Sequence, residues 1–222
     1  MKRPAIILML IGVLFSGFPV VDAHALDLAR YMDLVPGKWK IYQRQNIIKG
    51  ATGEGLYVVS ADKKNSIIRA LYLKDSNDNW VFFDADIYKI DKKFIYVIGY
   101  VNSSGTVEFY NPKVSIPRSM PVNHPFVYKG ALGNCFQTIV LVVNQTGISQ
   151  TTPAGTFTGC IKVQRYVVRC DGEAHTNTMI WAPGRMDVSD WYTEIDLENE
   201  SPIDAKIRET IQYGDADPPP VQ

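Results

Sequence analysis

Short stretches rich in Val, Ile, Tyr, Phe and Trp follow one another along most of the chain, separated by Gly, Asn, Asp and Pro. This pattern is typical of β-strands joined by turns, and helical periodicity is nearly absent. Strands are predicted near residues 38–44, 56–60, 66–73, 80–85, 87–90, 94–101, 106–110, 136–149, 155–169, 176–181 and 191–196. Many short strands at close spacing favour a mainly β fold, an antiparallel curled sheet or incomplete β-barrel.

One helix is predicted near the C terminus, from about Pro202 to Tyr213. Ser201 is a capping residue, Pro202 suits the first helical position, and Asp204 completes a capping-box pattern. An isoleucine recurs every fourth residue and a glycine follows that can end a helix: these are Ile203, Ile207, Ile211 and Gly214. The sequence therefore predicts that one amphipathic helix docks on the sheet.

The first 25 residues have the features of a secretory signal peptide. Lys2 and Arg3 form a basic end, residues 5–15 contain no charge, and Ala23-His24-Ala25 is a cleavage pattern. The apolar run is short for a membrane span, which needs about 20 residues, although an uncleaved anchor remains an alternative. We therefore expect cleavage after Ala25, a periplasmic or secreted protein without a stable transmembrane anchor, one β-rich domain over residues 26–214 and a disordered tail over residues 215–222.

The charge balance narrows the range of partners. The chain has 23 Lys and Arg against 23 Asp and Glu, with no block of five like charges. A neutral chain lacks the electrostatic footprint of a protein that binds nucleic acid or an anionic membrane surface. We therefore expect no nucleic-acid partner.

Three segments resemble a broad group of uncharacterised secreted bacterial β-proteins. These proteins carry a T-P-A-G-T-F-x-x-C-x-x-V hairpin, a later Y-A-P-G turn and an opening Y-x-P-L-x-x-G-x-x-W-x-Y. The matching segments are 152–163, 181–184 and 31–42. Here Trp181 replaces the usual Tyr, and the opening proline is displaced to Pro36. The resemblance implies an envelope location and a curled sheet similar to that of lipoprotein carriers, and it implies no activity.

Motifs for catalysis are scarce. Only His124 and His175 follow the signal peptide, and there is no H-E-x-x-H, no G-x-S-x-G and no Gly-rich phosphate loop. Asp75 begins a D-x-N-x-N pattern, but Trp80 stands where a calcium loop needs glycine, so the segment is interpreted as a polar turn. The sequence thus predicts a protein that is not an enzyme, with no cofactor and no metal.

Aromatic residues are frequent in the predicted strands, at 57, 72, 82, 88, 94, 96, 100 and 109. They are either ordinary sheet core or the lining of a cavity. Two functions follow from this alternative. The protein either binds a lipid or other apolar ligand on a concave sheet face, or is a structural or interaction protein of the envelope with a filled core. The proline-rich segment 111–125 is either a linker or a flap over such a cavity, and the ligand-binding residues stay open.

The three cysteines, Cys135, Cys160 and Cys170, leave one unpaired in an oxidising compartment. A turn centred between Thr152 and Pro153 would place Cys135 opposite Cys170 and Cys160 opposite Gln145. Cys160 and Cys170 would lie roughly 33 Å apart along one strand, which is too far for a bond. The register predicts a Cys135–Cys170 disulfide and a free Cys160.

Overall fold

The computed structural model describes residues 25–62 and 65–221, so the predicted signal peptide lies outside the described residues except for Ala25. The mainly β, antiparallel prediction is confirmed. The one helical element of the described chain is a 3-10 turn at Leu28–Arg30, and no helix there is long and apolar enough to cross a membrane. The strands are β1 Leu26–Asp27, β2 Trp39–Asn46, β3 Thr52–Ala61, β4 Ile67–Lys74, β5 Trp80–Ile90, β6 Phe94–Val101, β7 Val107–Pro117, β8 Ser119–Met120, β9 Phe126–Leu132, β10 Cys135–Thr152, β11 Gly155–Arg169, β12 Glu173–Ala182, β13 Met186–Asp196 and β14 Ser201–Gly214.

Twelve of these strands form a closed barrel, in the order β10-β11-β12-β13-β14-β2-β3-β4-β5-β6-β7-β9. The expectation of a curled sheet or incomplete barrel is therefore wrong, because no edge strand is left open. Closure takes place at two non-consecutive pairings, between β14 and β2 and between β9 and β7. The strand pattern of the sequence carried no information about these pairings, and closure removes the exposed edges that an open sheet would present.

The predicted C-terminal helix is also wrong. Residues 201–214 form β14, which pairs with β13 on one side and β2 on the other. A spacing of four residues is compatible with both structures, since every second residue of a strand also shares a face. Ile203, Ile207 and Ile211 all lie on the outer face of β14, whereas Asp204, Lys206, Arg208 and Thr210 point inward. The capping signals did not decide the structure, because the barrel closes only if this segment is a strand that pairs with both β13 and β2.

The two ends of the barrel differ. The N-terminal residues 28–34, which we call the plug, cover one end of the barrel, which we call the closed end. Its Leu28, Tyr31 and Met32 are buried in the main hydrophobic core beside Trp181 and Met186 from the wall. The backbone amides of Gly184 and Met186 donate hydrogen bonds to the carbonyls of Arg30 and Tyr31, at 2.8 Å each, which ties this plug to the β12–β13 turn. The opposite, open end carries the turns at 47–51, 75–79, 102–106, 133–134, 170–172 and 197–200.

The proline-rich segment runs along β7 from near the open end to the closed end. Its first half belongs to β7, and β8 then pairs with β1 through Leu26 and Met120. Met120 is buried in the main core, and Val122 packs against it. The second half of the segment therefore straps the plug to the barrel, as a linker would.

A second apolar cluster covers part of the outer wall. Trp39, Leu56 and Trp80 are buried there, with Ile211 packed against them. Residues 215–221 contain no strand and run over this cluster: the indole nitrogen of Trp39 donates to the carbonyl of Ala216 at 2.8 Å. Pro220 and Val221 line a surface pocket of about 250 Å³ with Trp80. The tail thus covers tryptophan side chains that would otherwise meet water.

The long β10–β11 hairpin contains the three cysteines. Cys135 and Cys170 form a disulfide with a Cα–Cα distance of 5.4 Å, the pair that the sequence predicts, and Cys160 is a buried free thiol. The predicted register itself is wrong, because the turn is one residue later, at 153–154, and Cys160 lies opposite Ile148. Bulges in β10 shift the register along the hairpin. The predicted Cys135–Cys170 pair is nevertheless correct, because both cysteines lie beyond the last paired residues of the ladder, Gln137 and Arg169. The two strands are not held in a fixed register there, so a difference of one residue does not prevent the bond.

Candidate functional site

The interior of the barrel is polar above the main core. The inward positions of β14 alternate with the outer isoleucines and carry Asp204, Lys206, Arg208 and Thr210. The usual pattern of a half-buried strand, apolar inside and polar outside, is therefore reversed in this strand. Such a reversal needs a hydrogen-bond or ion-pair partner for each buried polar group.

A layer of ion pairs separates the main core from the open end. Asp187 on β13 accepts hydrogen bonds from Lys40 on β2, at 2.9 Å, and from Arg69 on β4, at 2.7 Å. The guanidinium of Arg69 also lies over the ring of Tyr57, 3.7 Å from its centroid. Lys40 and Arg69 are only 4% and 6% exposed. Three strands are thus joined across the barrel by one buried carboxylate.

A second chain of polar contacts continues this layer. Arg208 donates to the buried carboxylate of Asp190 and to the hydroxyl of Tyr57 at 3.3 Å. Asn177 donates to Asp190 at 3.1 Å, and its own carbonyl oxygen accepts from Arg165 at 2.9 Å. The layer that we call the polar floor therefore consists of Lys40, Tyr57, Arg69, Arg165, Asn177, Asp187, Asp190 and Arg208.

The polar floor shifts the pKa values of its members in opposite directions. Burial disfavours the charged form of Asp187, but the charges of Lys40, Arg69 and Arg208 outweigh this effect and hold the pKa of Asp187 well below its usual range. Burial lowers the pKa of Lys40 to about 8, against the attraction of Asp187. At neutral pH the carboxylate is therefore ionised, and the amine is the group in this pair that gives up its proton first as the pH rises.

Two further carboxylates occupy successive inward positions of β5: Asp86 lies opposite Arg69 of the polar floor, and Asp84 lies one inward position nearer the open end. Asp84 accepts a hydrogen bond from the hydroxyl of Tyr100 at 3.3 Å, and Asp86 accepts one from Tyr88 at 3.1 Å. Burial, reinforced by the charge of Asp86, raises the pKa of Asp84 to about 6. Burial also raises the pKa of Asp86.

The space above the polar floor is open to solvent. Tyr100, Tyr110 and Tyr192 face the interior, yet their side chains are partly exposed, as are those of Asp84 and Asp86. Inward side chains can be exposed only if water enters through the open end. Eight strands make a barrel that side chains alone can fill, and the diameter grows with strand number, so twelve strands leave room here. We call this region, lined by these five residues, the polar cup.

The aromatic residues of the predicted strands lie on both faces of the barrel wall. Tyr57, Tyr88 and Tyr100 face the interior, whereas Tyr72 and Phe82 meet edge to face on the outer wall, with ring centroids 5.8 Å apart. The other outward aromatic residues of that set are Phe94, Tyr96 and Phe109.

His124 and His175, the histidines of the described residues, lie toward opposite ends of the barrel. His175 lies inside the barrel beside the ring of Tyr192, with centroids 5.6 Å apart. Burial, together with the charges of Arg165 and Arg169, lowers its pKa to about 3, so it is neutral under ordinary conditions. His124 is in an exposed turn at the closed end. The predicted polar turn at Asp75 lies at the open end, where the Asp75 carboxylate accepts hydrogen bonds from the backbone amides of Asn77 and Asn79. No three His, Cys, Asp or Glu side chains of the described chain converge as metal ligands.

The polar floor was missed in the sequence. Its charged residues stand in apolar strands, where an isolated Lys40 or Arg69 looks like the solvent-facing half of an alternating pattern. One signal was present: charged residues recur at every second position in 204–208 between isoleucines. That alternation is a strand pattern with period two, and it competed with the helical interpretation.

Comparison with known proteins yields a distant likeness in structure. No family model matches the chain, and no curated protein matches it. A candidate lipoprotein from Parabacteroides distasonis superposes with a TM-score of 0.47 at 11% identity, covering 83% of this chain and 98% of its own. A candidate exported protein with a YmcC-like fold from Bacteroides fragilis superposes with a TM-score of 0.40 at 9% identity, covering 86% and 99%. Likeness at this distance assigns the chain to no family.

Proposed function

We propose that this chain is an exported, non-enzymatic binding protein that holds a polar ligand in the polar cup. The observation that carries the proposal is the set of inward tyrosine and aspartate side chains that stay accessible above the polar floor. A binding site needs a concave surface and a few well-placed polar groups. The polar cup supplies both, on strands whose pairing holds the side chains in position.

Export is supported by two features of the chain. Its first 25 residues combine a basic end, an apolar run and an A-x-A pattern. The Cys135–Cys170 disulfide suits an oxidising compartment, such as the periplasm or the medium. The proposed location is therefore periplasmic or extracellular.

The interior favours a polar ligand over the lipid that the aromatic strands suggested. The apolar part of the interior is occupied by the plug, with Leu28 and Ile95 fully buried. A lipid in the polar cup would remove Asp84 and Asp86 from water and leave most of their acceptor sites without hydrogen bonds, and burying unpaired polar groups costs several kcal/mol (about 2–7 each). A hydrated or hydrogen-bonding ligand avoids this cost.

A specific observation favours a second candidate, an interaction protein of the envelope. Apolar side chains are exposed on the outer face of neighbouring strands: Val107 and Phe109 on β7, Val127 on β9 and Phe136 on β10, each 44–59% exposed. Exposed apolar patches often mark interaction sites. This candidate places the function on the outer wall and leaves the polar cup filled with water.

The test is native mass spectrometry of protein purified from its own host, followed by aqueous and organic extraction of the released material. The proposal predicts a bound mass that partitions into the aqueous phase. A mass recovered only in the organic phase contradicts the proposal and restores the lipid hypothesis. Protein that is repeatedly free of any small molecule but co-purifies with another polypeptide contradicts it in favour of the interaction protein.

A further inference from the structure

The charged groups of the barrel interior are largely satisfied by one another. Asp187 is paired with Lys40 and Arg69, Asp190 with Arg208, and Lys206 with Asp204 nearer the open end. Each pairing consumes the charge that would attract an ionic ligand. These four cations are therefore poor candidates for recognising a free anion, and Arg165 already donates two hydrogen bonds to the side-chain oxygen of Asn177.

In the described part of the chain, Asp84 and Asp86 on β5 have no such partner. Within the described residues each carboxylate accepts one hydrogen bond, from a tyrosine hydroxyl, and neither has an ion-pair partner within 4.0 Å. An ionised carboxylate has about four lone-pair sites. Several acceptor sites on each side chain are thus left for hydrogen-bond donors that enter the polar cup.

Aromatic rings surround these two carboxylates. Tyr88 and Tyr100 bind them directly, and Tyr110 packs edge to face on Tyr128, with centroids 5.9 Å apart. The phenol hydroxyls can both donate and accept, and the ring faces give flat apolar surface. The polar cup therefore combines carboxylate oxygens that can accept further hydrogen bonds, phenol hydroxyl groups and the faces of aromatic rings.

We infer that the ligand of the polar cup is a neutral polyhydroxylated molecule, such as an oligosaccharide, whose hydroxyl groups donate to Asp84 and Asp86 while its C–H faces lie on the surrounding tyrosine rings. The hydroxyl groups of a sugar can donate to a carboxylate and to the oxygen of a phenol that already donates, as Tyr100 does to Asp84, which matches the lining without requiring a net charge. This inference rests on the proposed function and specifies the class of ligand for the same site.

The outer wall offers a matched control. Asp91 accepts a hydrogen bond from Tyr96 at 2.9 Å, which is the same carboxylate–tyrosine pair as Asp84 with Tyr100, but exposed and outside the barrel. Asp84→Asn keeps the size of the side chain and removes its charge, and Asp91→Asn makes the same change on the outside. Thermal unfolding of both variants shows whether either loses the fold.

The experiment is binding of the mature protein to an array of neutral glycans, acidic glycans and immobilised spermidine, followed by titration of the strongest binder in solution. We expect binding to neutral glycans, weakened at least tenfold by Asp84→Asn and less than twofold by Asp91→Asn. Tenfold corresponds to about 1.4 kcal/mol, within the range for a hydrogen bond to a charged group.

Three outcomes would overturn the inference: binding to acidic glycans or spermidine only, equal weakening by the two variants, or no binding to any glycan on the array. An aqueous-phase ligand that native mass spectrometry identifies as a non-carbohydrate would overturn it while leaving the proposed function standing. Protein that carries no polar ligand in that measurement would remove the proposed function itself.

Discussion

Replacing Asp187 by Asn tests whether the polar floor holds the barrel together. The substitution keeps the shape of the side chain but leaves Lys40 and Arg69 facing a neutral amide. Both cations are buried and each lies within 3 Å of the Asp187 carboxylate. Removing one partner of a buried ion pair costs about 3–5 kcal/mol.

For a domain of this size, 1 kcal/mol shifts the melting temperature by about 2–4 °C, so we expect Asp187→Asn to lower it by about 6–20 °C at pH 6, measured by circular dichroism. The deficit should be smaller at pH 9. Burial already lowers the pKa of Lys40 to about 8, and an amine whose folded pKa lies below its unfolded value regains stability as the pH rises between the two values. A neutral Lys40 no longer needs its carboxylate, whereas Arg69 stays charged.

The control for this prediction is Asp171→Asn. Asp171 pairs with Arg169 at 2.7 Å, but both side chains are well exposed, at 36% and 41%. An exposed pair contributes about 0–1 kcal/mol, so its loss should change the melting temperature by a few degrees at most. Equal shifts for the two variants, or a deficit for Asp187→Asn that does not shrink at pH 9, would refute the assignment of the polar floor as a buried ion-pair layer.

Three further perturbations follow from the structure. Asp84→Asn should raise the melting temperature at pH 7.5, by the equivalent of about 1–2 kcal/mol after allowing for its partial exposure, and have little effect at pH 4. The reason is that the pKa of Asp84 is raised to about 6, so its ionisation costs stability as the pH rises from about 4 to 6; a pH-independent effect would contradict this. Replacing Cys135 and Cys170 together by Ala opens a loop with a sequence separation of 35 and should lower the free energy of unfolding in urea by about 4 kcal/mol, whereas Cys160→Ala in the same assay is the control for loss of packing alone. Deleting residues 216–222 should expose Trp39, which loses its hydrogen bond to Ala216, and shift its fluorescence to longer wavelength; an unchanged spectrum would show that the tail does not cover it.

The positions of most strands could be predicted from local residues, although the predicted strands 80–85 and 87–90 are the single strand β5, and β9 and β14 were not predicted. Alternating apolar residues bounded by turn formers mark a strand wherever it pairs, since side chains in any strand alternate between two faces. The Cys135–Cys170 pairing could also be predicted, because a hairpin joins residues that are near in sequence. Its register could not, since bulges in β10 are stabilised by packing that local patterns do not report.

The C-terminal segment shows where local rules fail. Ser201, Pro202 and Asp204 are favourable for a helix start, and Ile207 lies four residues from both neighbouring isoleucines. A capping residue contributes about 1 kcal/mol, within a range of about 0.5–2. Pairing with β13 over residues 201–209 and with β2 over residues 206–214 provides backbone hydrogen bonds along the whole segment, so tertiary structure overrides the local preference.

The sequence by itself therefore determined the strand content, the turns, the pairing of two cysteines and the features that indicate export, all of which depend on neighbours along the chain. Closure of the barrel, the plug at one end, and the meeting of Lys40, Arg69 and Asp187 were decided only by tertiary structure. These three residues are separated in the chain by 29 and 118 positions, and a charge in a strand has the same local pattern whether it faces water or a buried partner. Only the closed barrel places these charges on its inside, where desolvation forces each to pair.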